Sequence, residues 1–246
     1  MFQTLNHLGK YILMIGKVFS FPEKRDIFKK QLLLEIEKVG LNSIGIVVII
    51  SLFIGAVVSI QTAFNMENPL LPSYLIGVAT RDSIILEFSP TMLSLILAGK
   101  VGSNIASEIG TMRVTEQIDA LEMMGVNSAC FLILPKIIAA VCFFPFLIII
   151  SMGIGMFGGW IGALAADLTS ADFFNGLTYE FNAFYITYCL IKTVFFAFII
   201  TSISSYYGYY TNGGALEVGR SSTKAVVYSS IFILIFNFIL TDLLLA

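Results

Sequence analysis

Only one histidine, His7, occurs among the 246 residues, and that scarcity removes any histidine-based catalytic or metal site. Cysteine is nearly as sparse. Cys130, Cys142 and Cys189 are an odd number without metal-ligand spacing, and each sits in or beside an apolar run, as packing cysteines do. The pattern G-x-x-x-x-G-K-[ST] is missing, so the chain has no loop to cradle ATP phosphates and any ATP-derived energy must come from another chain. No cluster of His, Asp or Cys stands at catalytic spacing, which argues against a membrane-embedded lipid enzyme. The sequence therefore offers no catalytic residues, no metal site and no cofactor of its own. Charge is scarce too: Lys, Arg, Asp and Glu make up 12% of the chain, against about a quarter in an ordinary soluble domain. A net charge of −2 gives no pull toward nucleic acid, and none is expected as a partner.

What is present is apolar. Hydrophobic residues account for 57% of the chain, and the mean hydropathy is +0.90. A helix needs about 20 mostly apolar residues to cross a bilayer, and the runs predict five spans, at about 39–64, 74–102, 137–164, 183–206 and 225–245. Span one carries no charge and several small residues, Ser43, Gly45, Ser51, Gly55 and Ser59. A turn over Asn65–Pro72, with Pro69 and Pro72, leads to span two, where Pro90 predicts a kink. The second half of span three holds Gly155, Gly158, Gly159 and Gly162, two interleaved GxxxG pairs that invite close approach of another helix.

Ahead of span one, residues 1–19 lack a basic start and a long apolar core, so they read as an amphipathic helix and not as a secretory signal. Leu5, Leu8, Ile12, Ile15 and Phe19 form one arc, with Asn6, Lys10 and Lys17 opposite. Such a helix can lie in the membrane interface, or bind a partner. Phe21-Pro22 ends it, and a charged segment, Glu23–Lys38, leads along the surface into span one. Seven basic residues precede span one, three lie between Gly99 and Ile137, and two lie between Tyr210 and Ala225, while the opposite loops hold only Arg81. The positive-inside rule then places the N-terminus in the cytoplasm and the C-terminus outside. The expected organisation is cytoplasmic or interfacial helices over 1–38 and a transmembrane domain over 39–246.

Between spans two and three lies the densest charged stretch of the remaining chain, Glu108–Asn127. Read as a helix from Arg113 with Thr111 as N-cap, it puts Val114, Ile118, Leu121 and Gly125 on one side and Glu116 and Asp119 on the other, with Arg113 and Glu122 on the flanks. It either lies at the headgroups as a connector or is a cytoplasmic helix that a soluble partner grips. Within the membrane, Glu87 and Lys192 stand at comparable depths of spans two and four. A lone charge at the bilayer centre costs on the order of 2.5–3.5 kcal/mol, so each should be paired or face water. Lys192 can snorkel outward toward Asp242, pair with Glu87, or contact a lipid phosphate. An ion-coupled secondary transporter using Glu87 and Lys192 is the alternative function, although it predicts internal repeats that the chain does not show.

The letters from Glu108 to Met124, EIGTMRVTEQIDALEMM, resemble the signature of the MlaE family, permease subunits of MCE-associated ABC transporters that move lipids. Asp119-Ala120-Leu121-x-x-x-Gly125 also has the shape of the E-A-A-x-x-x-G coupling loop of ABC importers, with Asp in place of Glu. Glu87-Phe88-Ser89-Pro90 is similar to the family's R-E-L-G-P, with Leu86 for its arginine and Ser89 for its glycine. Leu97–Ser103 is similar to A-G-R-x-G-S with Lys100 for arginine, Cys189–Ala197 to C-L-I-K-S-x-x-F-A, and Gly213–Thr223 to G-G-A-x-x-V-G-R-A-T-T. The likeness runs in register from about residue 40 to the C-terminus.

The resemblance implies an all-α membrane protein with an N-terminal interfacial helix, five transmembrane helices and a cytoplasmic coupling helix over about 108–127. It implies a homodimer in a bacterial inner membrane, with ATP and magnesium held by a separate cytoplasmic ABC ATPase, an MCE-domain protein on the periplasmic side, and in many such systems a STAS-domain protein. ATPase coupling would fall to Glu108, Gly110, Met112, Arg113, Glu116, Gln117, Asp119 and Glu122. Phospholipid or a related lipid would occupy a cavity lined by spans one, two and five, for which Ser59, Glu87, Leu93, Leu97 and Phe232 are the candidate contacts.

Overall fold

The computed structural model describes residues 2–20, 25–66 and 72–245. The Phe21-Pro22 break and Pro69 lie outside the described residues. We number the helices α1 (Phe2–Val18), α2 (Ile27–Asn65), α3 (Tyr74–Val114), α4 (Gln117–Met123), α5 (Ser128–Ala165), α6 (Ser170–Thr178), α7 (Phe184–Tyr209) and α8 (Ala215–Leu245). Five of them, α2, α3, α5, α7 and α8, are long and apolar enough to cross a membrane, so the chain is an all-α membrane protein.

The spanning helices run past the apolar runs that mark them. The charged segment before span one is continuous with it in α2, through a π segment at Ile36–Leu41. Span two extends to Val114 through π segments at Ile84–Met92 and Ala98–Gly102. Pro90 lies inside the first of these, where widening the turn relieves the clash of its ring with the preceding turn's carbonyl. Span three starts at Ser128 because Asn127 caps it: the Asn127 side-chain oxygen accepts from the Cys130 N–H at 3.2 Å. Pro135 is carried inside α5, as prolines in membrane helices can be when neighbours compensate.

The chain divides into two compact units, one comprising Met1–Asn42, Leu95–Phe143 and Phe195–Ile239, the other Ser43–Ser94, Phe144–Val194 and Leu240–Ala246. In the second unit the glycine pairs of α5 meet α2. A Cβ added at Gly158 would run into the Leu52 carbonyl, and one at Gly162 into the Ala56 carbonyl. Ser51 of α2 and Ser151 of α5 lie Oγ to Oγ at 2.9 Å, and Ser151 lies 3.1 Å from Ser89 of α3, so hydroxyls join the three helices where backbones are closest. Gly158→Ala is therefore expected to destabilise the protein by about 1–3 kcal/mol through overpacking. Gly153, with nothing within 4 Å of an added Cβ, should tolerate alanine or gain about 0.5–1 kcal/mol. Melting curves of both variants in detergent check the contrast.

Arg81 is buried in the same unit. Its guanidinium donates to the carbonyls of Leu177 at 3.0 Å and Tyr179 at 2.7 Å, and its Nε donates to Asp82 at 2.8 Å. A cation thus satisfies carbonyls left over at the C-terminal end of α6 and neutralises the negative end of its dipole. The N-terminal end of α6 is capped by Thr169, whose oxygen accepts from the Asp172 N–H at 3.2 Å.

In the first unit α1 docks through His7, Tyr11, Met14 and Val18, a face the apolar arc does not include. His7 Nδ1 lies 2.7 Å from the Tyr206 hydroxyl, Tyr11 donates to Ser202 at 2.9 Å, and Met14 and Val18 are buried. Leu5, Leu8, Ile12 and Phe19 stay exposed. Of the cysteines, Cys130 and Cys189 are buried as packing residues, whereas Cys142 is exposed on α5.

Candidate functional site

The stretch from Glu108 does not form one helix. Thr111 does not cap it: its hydroxyl donates to the Ser107 carbonyl at 2.8 Å from within α3, and Thr115 donates to the Thr111 carbonyl at 2.8 Å. Hydroxyls bonding back to the preceding turn compete with the helix ladder, and α3 ends at Val114. Glu116 then takes the left-handed conformation, with φ at 60°, and α4 begins at Gln117. The helix expected from Arg113 through Glu116 is thus a tight corner followed by a short helix. α4 closes on Gly125, at φ 79°, with the Val126 N–H donating to the Leu121 carbonyl at 3.1 Å and the Gly125 N–H to the Glu122 carbonyl at 2.9 Å. These two bonds make a Schellman motif, which favours glycine at that position.

Side chains brace the corner. Arg113 pairs with Asp119 at 2.6 Å across it. Glu122 accepts from Ser128 at 2.8 Å and from Tyr209 at 2.9 Å, which ties α4 to the first turn of α5 and the last turn of α7. Ile118 is fully buried beneath it. Glu116, Gln117, Asp119 and Ala120 face outward, and Met123 and Met124 are 90% and 69% exposed. Two bare methionines beside carboxylates make a small, adaptable contact surface, since the unbranched thioether refits to varied partners. Nothing in the local sequence pattern marks either methionine as exposed.

The other coupling residues face inward. Gly110 is buried, and an added Cβ there would lie 3.3 Å from Val218 and 3.4 Å from Thr211. Met112 lines a cavity with Lys38 and Gln117. Glu108 pairs with Lys38 at 2.7 Å and with Lys136 at 2.6 Å, and Lys136 also holds Glu35 at 2.7 Å. Neither Glu35 nor Lys136 was singled out from sequence, because nothing in the local pattern marks two distant charges as partners.

The Glu122 carboxyl is held below the ordinary carboxylate range, first by the Ser128 hydrogen bond and then by the Tyr209 one. A depressed folded value makes its stabilising contribution complete above the unfolded value of about 4.3 and lost as pH falls through the folded value. Because Glu122 is exposed the effect is modest. The stability gap between wild type and Glu122→Gln should stay flat from about pH 7 to 5 and shrink below about pH 4.3, which melting curves across that range check.

The intramembrane charges meet. Lys192 Nζ donates to Glu87 Oε1 at 2.9 Å, and the Lys192 side chain is 0% exposed against 44% for Glu87. Thr91 donates to the other Glu87 oxygen at 3.0 Å, and Lys192 lies 4.5 Å from the centre of the Tyr188 ring. Pairing, and not snorkelling toward Asp242, is thus how the lysine is accommodated. The remaining lipid-path candidates divide. Ser59, Leu93 and Leu97 are fully buried by the chain's own helices, whereas Phe232 is 42% exposed. Membership of an apolar span does not show which faces the neighbouring helices cover.

Five membrane-crossing helices and a braced, outward-facing turn between the second and third have the construction of a transporter's membrane subunit. The chain belongs to the MlaE permease family, whose model matches residues 32–243. It is 39% identical over 241 residues to a probable ABC transporter permease protein of Rickettsia bellii, covering 96% of this chain and 91% of that one. A probable ABC transporter permease protein of Synechocystis sp. is 34% identical, over 94% of this chain and 88% of its own. The chloroplastic protein TRIGALACTOSYLDIACYLGLYCEROL 1 of Arabidopsis thaliana is 32% identical, over 94% of this chain and 66% of its own. An ABC permease works with an ATPase, so membership replaces the reading as an ion-coupled secondary transporter.

Proposed function

We propose that this chain is the membrane subunit of an ABC transporter that moves phospholipid or a related glycerolipid, driven by ATP and magnesium bound to a separate cytoplasmic ATPase. The observation that carries the reading is the α4 turn: a short helix, pinned by Arg113–Asp119 and by Glu122, that presents Met123 and Met124 to a partner. Pinning lets a push on so small a surface act on the ends of α3, α5 and α7 instead of bending a loop. A lipid substrate is supported by the Arabidopsis relative, whose name carries a glycerolipid. It is supported also by Glu87, half-exposed beside Lys192, which offers a polar station for a headgroup.

The subunit works as a homodimer. α8 is the natural contact surface, since its most apolar stretch is only 17% buried within the chain, against 61% for α7. It lies in a bacterial inner membrane with its N-terminus and α4 in the cytoplasm and its C-terminus periplasmic, following the basic residues. An MCE-domain protein receives or supplies lipid on the periplasmic side, and a STAS-domain protein accompanies the ATPase. Residues 1–38 form the cytoplasmic and interfacial part, with the exposed arc of α1 against the headgroups, and 39–246 form the permease domain.

Purification of the tagged chain from its native membrane in mild detergent tests the reading. The expected result is two copies of the chain with two copies of an ATPase carrying the G-x-x-x-x-G-K-[ST] loop. A chain that purifies without any ATPase overturns it.

A further inference from the structure

Glu35, Lys38 and Lys136, none of them a coupling candidate, form a four-charge cluster with the coupling candidate Glu108. Lys136, in the third turn of α5, reaches two carboxylates from two other spans, Glu35 of α2 at 2.7 Å and Glu108 of α3 at 2.6 Å. Its side chain is 3% exposed and that of Glu35 5%. The second Glu108 oxygen is taken by Lys38 at 2.7 Å, one turn beyond Glu35 on α2. Two positive and two negative charges therefore balance, and α3 is held by α2 on one side and by α5 on the other.

Its position relates it to α4. Glu108 lies two turns before the Glu116 corner on the same helix. Glu35 and Lys38 flank the start of the π segment Ile36–Leu41, and Lys136 follows Pro135. These are places where the helix ladder is already irregular and a displacement is absorbed most easily. A buried pair of this kind does not stretch gradually, because separating its members leaves uncompensated charge away from water. The three helix ends must move together or break the cluster.

We propose that Lys136 is a positioning residue for coupling, clamping the inner ends of α2 and α5 to the end of α3 that carries the α4 turn. A displacement of that turn is then delivered to three spans at once. The inference rests on α4 being the ATPase contact.

The test uses the whole transporter with its ATPase, in vesicles of phosphatidylethanolamine and phosphatidylglycerol carrying fluorescent phosphatidylethanolamine as probe. Glu35→Gln with Lys136→Met removes one charge of each sign and leaves Lys38–Glu108 in place, so no charge is stranded. The double variant is expected to retain the ATPase and its hydrolysis while lipid moved per ATP falls at least tenfold, and Lys136→Arg is expected to restore most of that ratio. An unchanged ratio overturns the proposal. So does a fall in hydrolysis and transport together, in proportion to the folded protein recovered, because that is what a merely structural pair produces. Failure of the wild-type chain to retain any ATPase would instead overturn the coupling reading on which the proposal stands.

Discussion

Lys192→Met is expected to lower the protein's stability, and adding Glu87→Gln is expected to recover part of the loss. The single change takes the cation away from Glu87, whose hydroxyl contacts come from Thr91 at 3.0 Å and, longer, from Thr241 at 3.5 Å. Breaking a fully buried pair by removing one member typically costs about 3–5 kcal/mol. Glu87 is 44% exposed while Lys192 is 0% exposed, so the carboxylate can be partly resolvated and the loss should stay at or below about 3 kcal/mol. Glutamine in the double variant keeps a Thr91 partner without the stranded charge. Melting temperatures of the wild type, both single variants and the double variant in one detergent form the required cycle. A silent Lys192→Met, or no recovery in the double variant, would contradict a paired role. A stable Lys192→Met that no longer moves lipid would transfer the lysine to substrate handling.

The second large effect concerns α4. Charge reversal of Glu116 and Asp119 together should release the ATPase while the permease remains folded in membranes. Asp119 also pairs with Arg113 at 2.6 Å, so its reversal both changes the surface and loosens the corner. Met123→Glu with Met124→Glu separates the two effects, since these side chains are 90% and 69% exposed and outside the Arg113–Asp119 pair. Where apolar anchors sit at the centre of a contact, their loss costs about 2 kcal/mol or more each, enough together to reduce ATPase recovery about a hundredfold or more at a fixed concentration. Stability should be unchanged. Full recovery of the ATPase with both variant pairs would remove α4 as the contact.

Much of this architecture was legible in the sequence, and the rest was not for identifiable physical reasons. Apolar runs located all five spans, because each must fill the hydrocarbon thickness. The glycine pairs around Gly158 announced a close helix contact, because only a missing Cβ admits the Leu52 carbonyl so near. Helix ends were legible less well: a hydropathy window stops at the membrane edge, whereas the hydrogen-bond ladder of α2 and α3 continues through Lys38 and Glu108. The corner at Glu116 depends on hydroxyls of Thr111 and Thr115 bonding backward, and threonine there equally suits a helix or a cap. Glu87 and Lys192 each needed a partner, and their shared depth made pairing one of three readings. Lys136 gave no such sign, since at the edge of an apolar run it counts simply as one more cytoplasmic charge. Ser59, Leu93 and Leu97 are each covered by the chain itself, which their place in an apolar run does not announce.

A photo-crosslinking amino acid placed at Met123 tests the central claim most directly, with one at Phe64 as control. Phe64 is 77% exposed at the far end of α2 from the charged turns. In intact cells the probe at Met123 should capture the ABC ATPase, and the probe at Phe64 should capture none of it. Capture of the ATPase from Phe64 but not from Met123 would contradict α4 as the element through which this permease is driven.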